Sequence, residues 1–143
     1  MKNITFEKYQ GNGNDFVIID SRGNELYKNY KTNKIFDIKK ICNRQFGVGA
    51  DGVIFIEEPN EDNYAKMIIF NSDGSEAQMC GNGIRCLVEY LHVNDSMNNK
   101  NIEYKIETKA GLKIAKYIND EITVKMGVPI LDSQNIPTTI EKK

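Results

Sequence analysis

The sequence contains few of the residues that build metal sites and disulfide frameworks. Its 143 residues include three cysteines, one histidine and no tryptophan. The cysteines form no CxxC pair, and the start "MKNITFEKYQ" lacks the apolar segment of an export signal. An odd number of cysteines without such a signal argues against disulfides, and a single histidine argues against zinc. We therefore expect free thiols, no structural metal and a cytosolic protein.

Excess charge of one sign and long apolar runs are also missing. Nineteen basic residues face twenty acidic ones, and the formal net charge is -1. There is no Lys/Arg-rich block, and no run approaches the roughly eighteen apolar residues of a membrane-spanning helix. A small molecule is therefore the expected partner, rather than a nucleic acid or a membrane. The hydrophobic content of 40% is enough for the core of one domain.

Alternating and periodic apolar residues predict a sheet curled around one enclosed helix. Strands are expected at residues 4–8 and at "FVIID", with "GNGND" as the loop between them. The other expected strands are "GVIFIEE", "AKMIIFN", "NIEYKIET", "LKIAKYI" and "ITVKM". Residues 84–93 are apolar around most of a helical wheel, which is typical of an enclosed helix. A second helix is predicted at residues 35–46, because apolar residues recur there at helical spacing and Gly47 follows.

The pattern fades after Met126. The remaining "GVPILDSQNIPTTIEKK" has two prolines, a charged end and no further periodic element. We expect residues 1–127 to form one lobe and residues 128–143 to begin the connection to another domain.

The segment "NSDGSEAQMCGNGIRC", residues 71–86, places Cys80 directly before the enclosed helix. A thiol acts as base or nucleophile only as the thiolate, and an unperturbed thiol with a pKa of about 8.5 is mostly protonated at neutral pH. The unpaired N–H groups and the dipole of a helix N-terminus favour a negative charge. Position therefore indicates Cys80 as the reactive thiol, whereas Cys42 and Cys86 are expected to be small buried side chains. The alternative is that Cys80 is one more buried cysteine.

Glycines and asparagines around Cys80 indicate a site for an amino acid. Gly81 and Gly83 allow backbone N–H groups to approach a carboxylate closely. Asn71 and Asn82 can hydrogen-bond to the α-amino and α-carboxyl groups. Turn formation is the alternative role of such asparagines.

Two further glycine patterns have different meanings. "GVGADG", residues 47–52, satisfies GxGxxG, but it follows a predicted helix and precedes a strand. This order is the reverse of a dinucleotide-binding turn, so we exclude a Rossmann site. "GNGND" lacks the third glycine and is expected to be a loop from which Asn14 or Asp15 faces a ligand.

The spacing Asn-x-Asp-Gly-Ser, four residues, then Cys-Gly-Asn-Gly-x-Arg is filled by residues 71–85. It resembles the signature of diaminopimelate epimerase, an amino-acid epimerase that works without PLP. "GNGNDFVIID", "FGVGADG" and "VKMGVP" also resemble segments of this family. The resemblance covers essentially the whole chain but only the first half of a typical family member.

The resemblance implies an α+β fold of two lobes, each a curved, mostly antiparallel β-sheet wrapped around a central α-helix, with the substrate between them. It implies that Cys80 is one of two catalytic cysteines that exchange the α-proton of L,L- and meso-diaminopimelate, without cofactor, in lysine and peptidoglycan-precursor synthesis. Gly52 stands where some relatives carry Gln, so that contact is lost or replaced. The positions that match substrate contacts are Asn14, Asn71, Gly81, Asn82 and, with this difference, Gly52.

Inversion at a carbon needs a proton removed on one face and delivered on the other, which one base cannot do. We therefore expect this chain to supply half an active site, to need a second epimerase lobe and to be inactive alone in epimerisation. An exposed apolar face would favour self-association into a homo-oligomer. The alternatives are a non-catalytic binding or assembly module that retains the lobe fold, and a related isomerase of the same fold with another substrate.

Overall fold

The computed structural model describes residues 3–33, 36–95, 101–132 and 136. The helices in these residues are α1 (Leu26–Asn33), α2 (Ile38–Cys42) and α3 (Gly81–Asn94). None of them is long and apolar enough to cross a membrane. The strands are β1 (Glu7–Gly11), β2 (Asn14–Asp20), β3 (Gly52–Glu57), β4 (Ala65–Asn71), β5 (Glu76–Ala77), β6 (Asn101–Thr108), β7 (Gly111–Ile118) and β8 (Glu121–Lys125).

One mixed sheet curves around α3. Its order is β1-β2-β3-β4-β6-β7-β8, with β5 paired to β4. Within the described residues, β2 with β3 and β4 with β6 are parallel pairs, and the other pairings are antiparallel. Because α3 contacts both the first and the last strand of this order, the sheet must wrap around the helix. The predicted α+β fold, with a mostly antiparallel sheet around one central helix, is confirmed.

The first core lies between α3 and the inner face of the sheet. Ile84, Leu87, Val88 and Leu91 are fully buried, as the helical periodicity predicted. They pack against strand residues such as Ile54 and Tyr104. These four side chains form one continuous apolar stripe along α3, so removing the helix from the sheet would expose the centre of this core.

A second core covers the outer face of the sheet beneath α1 and α2. Its centre is aromatic: Tyr30 of α1 stacks on Phe36 and Phe55, and its ring edge meets Phe70. The apolar pattern of the sequence does not predict α1. Its sequence "LYKNYKTN" has only three apolar or aromatic residues, so long-range packing on Phe55 decides its structure rather than a periodic apolar face.

The helix predicted at residues 35–46 is wrong in extent. Ile35 lies outside the described residues, and α2 occupies only Ile38–Cys42, with Asp37 as its N-cap. Asn43 Oδ1 accepts hydrogen bonds from the backbone N–H groups of Gln45 and Phe46, at 2.9 and 2.8 Å. This side chain replaces the helical pattern with a turn, so Arg44 and Gly47 follow the helix instead of completing it.

The first strand pair is confirmed, with shifted bounds. β1 begins at Glu7, and the loop is reduced to Asn12 and Gly13, whose φ angles are 55 and 80 degrees. Two left-handed residues form the tight turn that matches the twist of a hairpin. As a result, Asn14 and Asp15 lie on β2 and not in a loop.

A polar cluster fixes the C-terminal end of α3. The Arg22 guanidinium donates to Asp20 at the end of β2 and to Asp95, the C-cap of α3, with the shortest contacts at 2.7 and 2.8 Å. Tyr64 and Tyr90 hydroxyls add hydrogen bonds to the same carboxylates. All three charged side chains are largely buried, so this bidentate pairing holds the helix axis against the sheet.

Candidate active site at the start of the central helix

Cys80 is the N-cap of α3. Its backbone is extended, with φ -141 and ψ 123 degrees, and its carbonyl accepts the N–H of Ile84 at 2.9 Å. The Gly83 N–H donates to Cys80 Sγ at 3.4 Å. The first N–H groups of a helix have no intrahelical partner and give its N-terminus a partial positive charge. The half-buried sulfur of Cys80 therefore lies at the positive end of α3. This is the position that the sequence predicted.

Two glycines beside Cys80 have different reasons for their size. A Cβ atom on Gly83 would lie 3.1 Å from Ile69 Cδ1 and 3.3 Å from Cys80 Cβ. The absence of a side chain therefore lets the first turn of α3 approach β4 while its N–H faces the sulfur. A Cβ on Gly81 would meet only Met126, at an ordinary 3.7 Å. Packing therefore does not require glycine at position 81.

Asn14 and Asn82 meet at the sulfur. The Cys80 thiol donates to Asn14 Oδ1 across 3.8 Å, and Asn82 Nδ2 donates to the same oxygen across 3.5 Å. Arg85 donates to Asn82 Oδ1 at 3.0 Å from the next turn of α3. The fold thus brings together three of the predicted site residues, although Asn14 lies 66 positions from Cys80 and 68 positions from Asn82 along the chain.

Two charged residues that the sequence did not point to, Asp51 and Arg44, support this group. Asp51 accepts from Asn14 Nδ2 at 2.8 Å, and Arg44 donates to Asp51 and to Asp15. Asp51 lies within "FGVGADG", and this pattern does not predict that the Asp51 carboxylate contacts Asn14. Asp15 forms salt bridges with Lys8 and Arg44, so both oxygens of its carboxylate already have partners within the lobe.

The two carboxyl groups remain ionised at neutral pH. The Arg44 guanidinium, with Lys8, holds the pKa of Asp15 well below its usual range. The hydrogen bond from Asn14 is the main cause that lowers the pKa of Asp51. Ionised carboxylates only accept hydrogen bonds, so each of them determines which groups can face it.

Asn71 and Gly52 are paired across β4 and β3, beside this group. Asn71 Nδ2 donates to Ser75 Oγ at 2.9 Å, and Asp73 receives the Ser75 hydroxyl at 2.6 Å. The Asn71 side chain is therefore engaged in its own turn. Gly52 is buried, and a Cβ there would lie 2.5 Å from the carbonyl oxygen of Phe70. This backbone has no room for a Gln side chain at position 52.

We expect iodoacetamide to alkylate Cys80 at least about 10-fold faster than Cys42 or Cys86 in the native protein at pH 7.5. Cys42 and Cys86 are 5% and 3% exposed. Burial raises the pKa of both thiols, that of Cys86 to about 11, so their thiolates are scarce and inaccessible. Peptide mass spectrometry over time measures the three rates. In guanidinium chloride the rates should converge, and a native Cys86 rate equal to that of Cys80 would contradict the expectation.

The sequence comparisons agree with the resemblance to the epimerase signature. The sequence model of the family described as diaminopimelate epimerase matches residues 6–131. A curated diaminopimelate epimerase from Prochlorococcus marinus (strain NATL2A) is 53% identical over 142 residues, which cover 98% of this chain and 49% of the relative. Another, from Methanocella arvoryzae, is 47% identical over 141 residues, which cover 96% and 48%. The chain belongs to the diaminopimelate epimerase family. It spans about half the length of the curated relatives it matches.

Solved structures outside this epimerase family share the fold. A probable proline racemase from Agrobacterium radiobacter K84 has a TM-score of 0.60 at 17% identity, covering 80% of this chain and 37% of the racemase. A hydroxyproline epimerase from Agrobacterium vitis has a TM-score of 0.58 at 16% identity, with coverages of 78% and 36%. At these identities the likeness supports the lobe fold alone.

Proposed function

We propose that this diaminopimelate epimerase lobe supplies one of two proton-transferring thiols for the interconversion of L,L- and meso-diaminopimelate. One observation carries the proposal: the Cys80 sulfur lies at the start of a buried helix, within 3.8 Å of an amide that also binds Asn82. Free N–H groups at that helix start suit the α-carboxylate of an amino acid. The three cysteines are free thiols, as expected of a cytosolic enzyme.

In this mechanism the Cys80 thiolate removes the α-proton. The Cα–H bond breaks, an S–H bond forms, and the electron pair left on Cα delocalises into the carboxylate. The backbone N–H groups of Gly81 and Asn82 are placed to donate to that carboxylate, where negative charge develops. The side chains of Asn14 and Asn82 orient the amino acid, and Asn71 and Gly52 border the site from the sheet.

A second thiol must deliver a proton to the opposite face of Cα. We assign that thiol to a second lobe, because the curated relatives are about twice as long as this chain. Residues 128–143 then begin the connection to that lobe. Val128, Ile130 and Leu131 in this segment are 91%, 63% and 84% exposed, which suits a surface that a second lobe covers.

The test is α-proton exchange in deuterated water, followed by NMR on L,L- and meso-diaminopimelate. We expect no inversion by the chain alone. A fusion of this chain to the second half of the Prochlorococcus marinus relative should exchange the α-proton and invert the configuration at Cα. The full-length relative is the positive control. Saturable binding to the fusion without exchange would instead support a non-catalytic binding or assembly module. Exchange of proline, but not of diaminopimelate, would show a related isomerase with another substrate.

A further inference from the structure

A continuous chain of donors and acceptors leads from two arginines to the Cys80 sulfur. Arg44 donates to Asp51 Oδ1 at 2.8 Å, and Asp51 Oδ2 accepts from Asn14 Nδ2 at 2.8 Å. On the other side, Arg85 donates to Asn82 Oδ1, and Asn82 Nδ2 faces Asn14 Oδ1. The two amides lie between a carboxylate at one end and a guanidinium at the other.

This arrangement has one consistent hydrogen-bond assignment. An ionised carboxylate has no donor, and a guanidinium has no acceptor. Asp51 therefore selects the NH2 end of Asn14, and Arg85 selects the oxygen end of Asn82. With both amides fixed in this way, Asn14 Oδ1 is the atom that faces Asn82 and Cys80.

We propose that Asp51 is a positioning residue that holds the Asn14 amide with its carbonyl oxygen, and not its NH2 group, toward the sulfur of Cys80. The inference rests on the proposed function only in taking Cys80 as the reactive thiol. The described partners of the Asp51 carboxylate are Asn14, Arg44 and the Asp15 N–H, so Asp51 acts on the sulfur through Asn14.

The carboxylate of Asp51 is itself held in place. Its Oδ2 also accepts the backbone N–H of Asp15 at 3.1 Å, and its own N–H donates to Asp15 Oδ1 at 3.0 Å. Arg44 bridges both carboxylates. Both oxygens of Asp51 thus have fixed donors, and the ionised state persists because the Asn14 hydrogen bond lowers its pKa.

The orientation of Asn14 decides what the sulfur meets. The carbonyl oxygen accepts the hydrogen of the thiol, whereas an NH2 group would donate to a thiolate, the species that reacts with alkylating agents. When Asp51 is replaced by Asn, the new side chain can donate as well as accept, and the Asn14 amide is free to turn over.

The test is a double-mutant cycle on the rate of Cys80 alkylation by iodoacetamide at pH 7. With Asn14 present, we expect Asp51→Asn to raise the alkylation rate about fivefold, which corresponds to the net free energy of about one hydrogen bond. In the Asn14→Ala background the same substitution should change the rate less than about twofold, the remaining effect being the lost charge of Asp51 acting through space. Equal factors in both backgrounds, or no change in either, would overturn the proposal.

Two further measurements keep the result independent of folding and of catalysis. Asp120→Asn makes the same change at a carboxylate in the β7–β8 turn, bonded to Tyr117, and should leave the alkylation rate unchanged. In the unmutated protein, NMR should show the Asn14 NH2 protons near the Asp15 N–H and not near the Cys80 β-protons, and the reverse contradicts the assignment even if Asp51→Asn fails to fold. Because neither readout uses diaminopimelate, failed exchange would refute the proposed function and leave this inference standing.

Discussion

Cys80→Ala is expected to lower α-proton exchange of diaminopimelate by about 10²- to 10⁴-fold in the fusion with a second lobe. A methyl group at the start of α3 can neither remove nor deliver a proton. The other two cysteines of this chain, Cys42 and Cys86, are buried and are not placed to substitute for it. NMR of the α-proton signal in deuterated water measures the loss. The enzyme concentration is chosen so that exchange by the unmutated fusion is much faster than exchange without enzyme.

The same substitution at Cys42 provides the matched control. Cys42 ends α2 in the second core, and its replacement removes a buried sulfur without touching the start of α3. Exchange should stay within about twofold of the unmutated rate, with a small loss of stability. If Cys80→Ala exchanges as fast as Cys42→Ala while both remain folded, Cys80 is not the base and the assigned mechanism is wrong.

The periodicity of apolar residues is sufficient to predict those helices and strands whose buried positions follow a regular repeat. Apolar residues on most of the helical wheel predict α3, and Ile84, Leu87, Val88 and Leu91 are fully buried in the structure. β4 and β6 were predicted to the residue as "AKMIIFN" and "NIEYKIET". In these segments the side chains that face the core follow the helical or strand repeat, so that the pattern and the packing carry the same information.

Long-range contacts explain what the pattern missed. α1 depends on rings of Phe36 and Phe55 that its own sequence does not contain, and α2 ends early because the Asn43 side chain captures the next backbone N–H groups. The site shows the same division. Cys80 and Asn82 share one motif and were proposed together, whereas Asp51 reaches Asn14 across 37 positions of sequence. No spacing rule identifies that contact.

Gly52 combines both kinds of information. The resemblance implies a substrate-binding position where some relatives carry Gln, and the structure places Gly52 at the start of β3, between β2 and β4. It pairs with Phe16 on one side and Asn71 on the other. Its φ is outside the left-handed region, so conformational freedom does not explain the glycine. The explanation is space: a Cβ would lie 2.5 Å from the Phe70 carbonyl oxygen and 3.2 Å from the Phe16 ring.

Gly52→Ala is therefore expected to lower the free energy of unfolding by about 3 kcal/mol, because a backbone carbonyl of β4 cannot move aside as a flexible side chain would. Gly11→Ala is the matched control, since a Cβ there meets the Asn82 carbonyl oxygen and Cys86 Sγ at an ordinary 3.6 Å. This second variant should be neutral or more stable by about 0.5 kcal/mol, because alanine restricts the unfolded chain. Urea denaturation followed by circular dichroism measures both. Equal stability of the two variants would mean that β3 shifts freely against β4, and the exclusion of a side chain at position 52 would then fail.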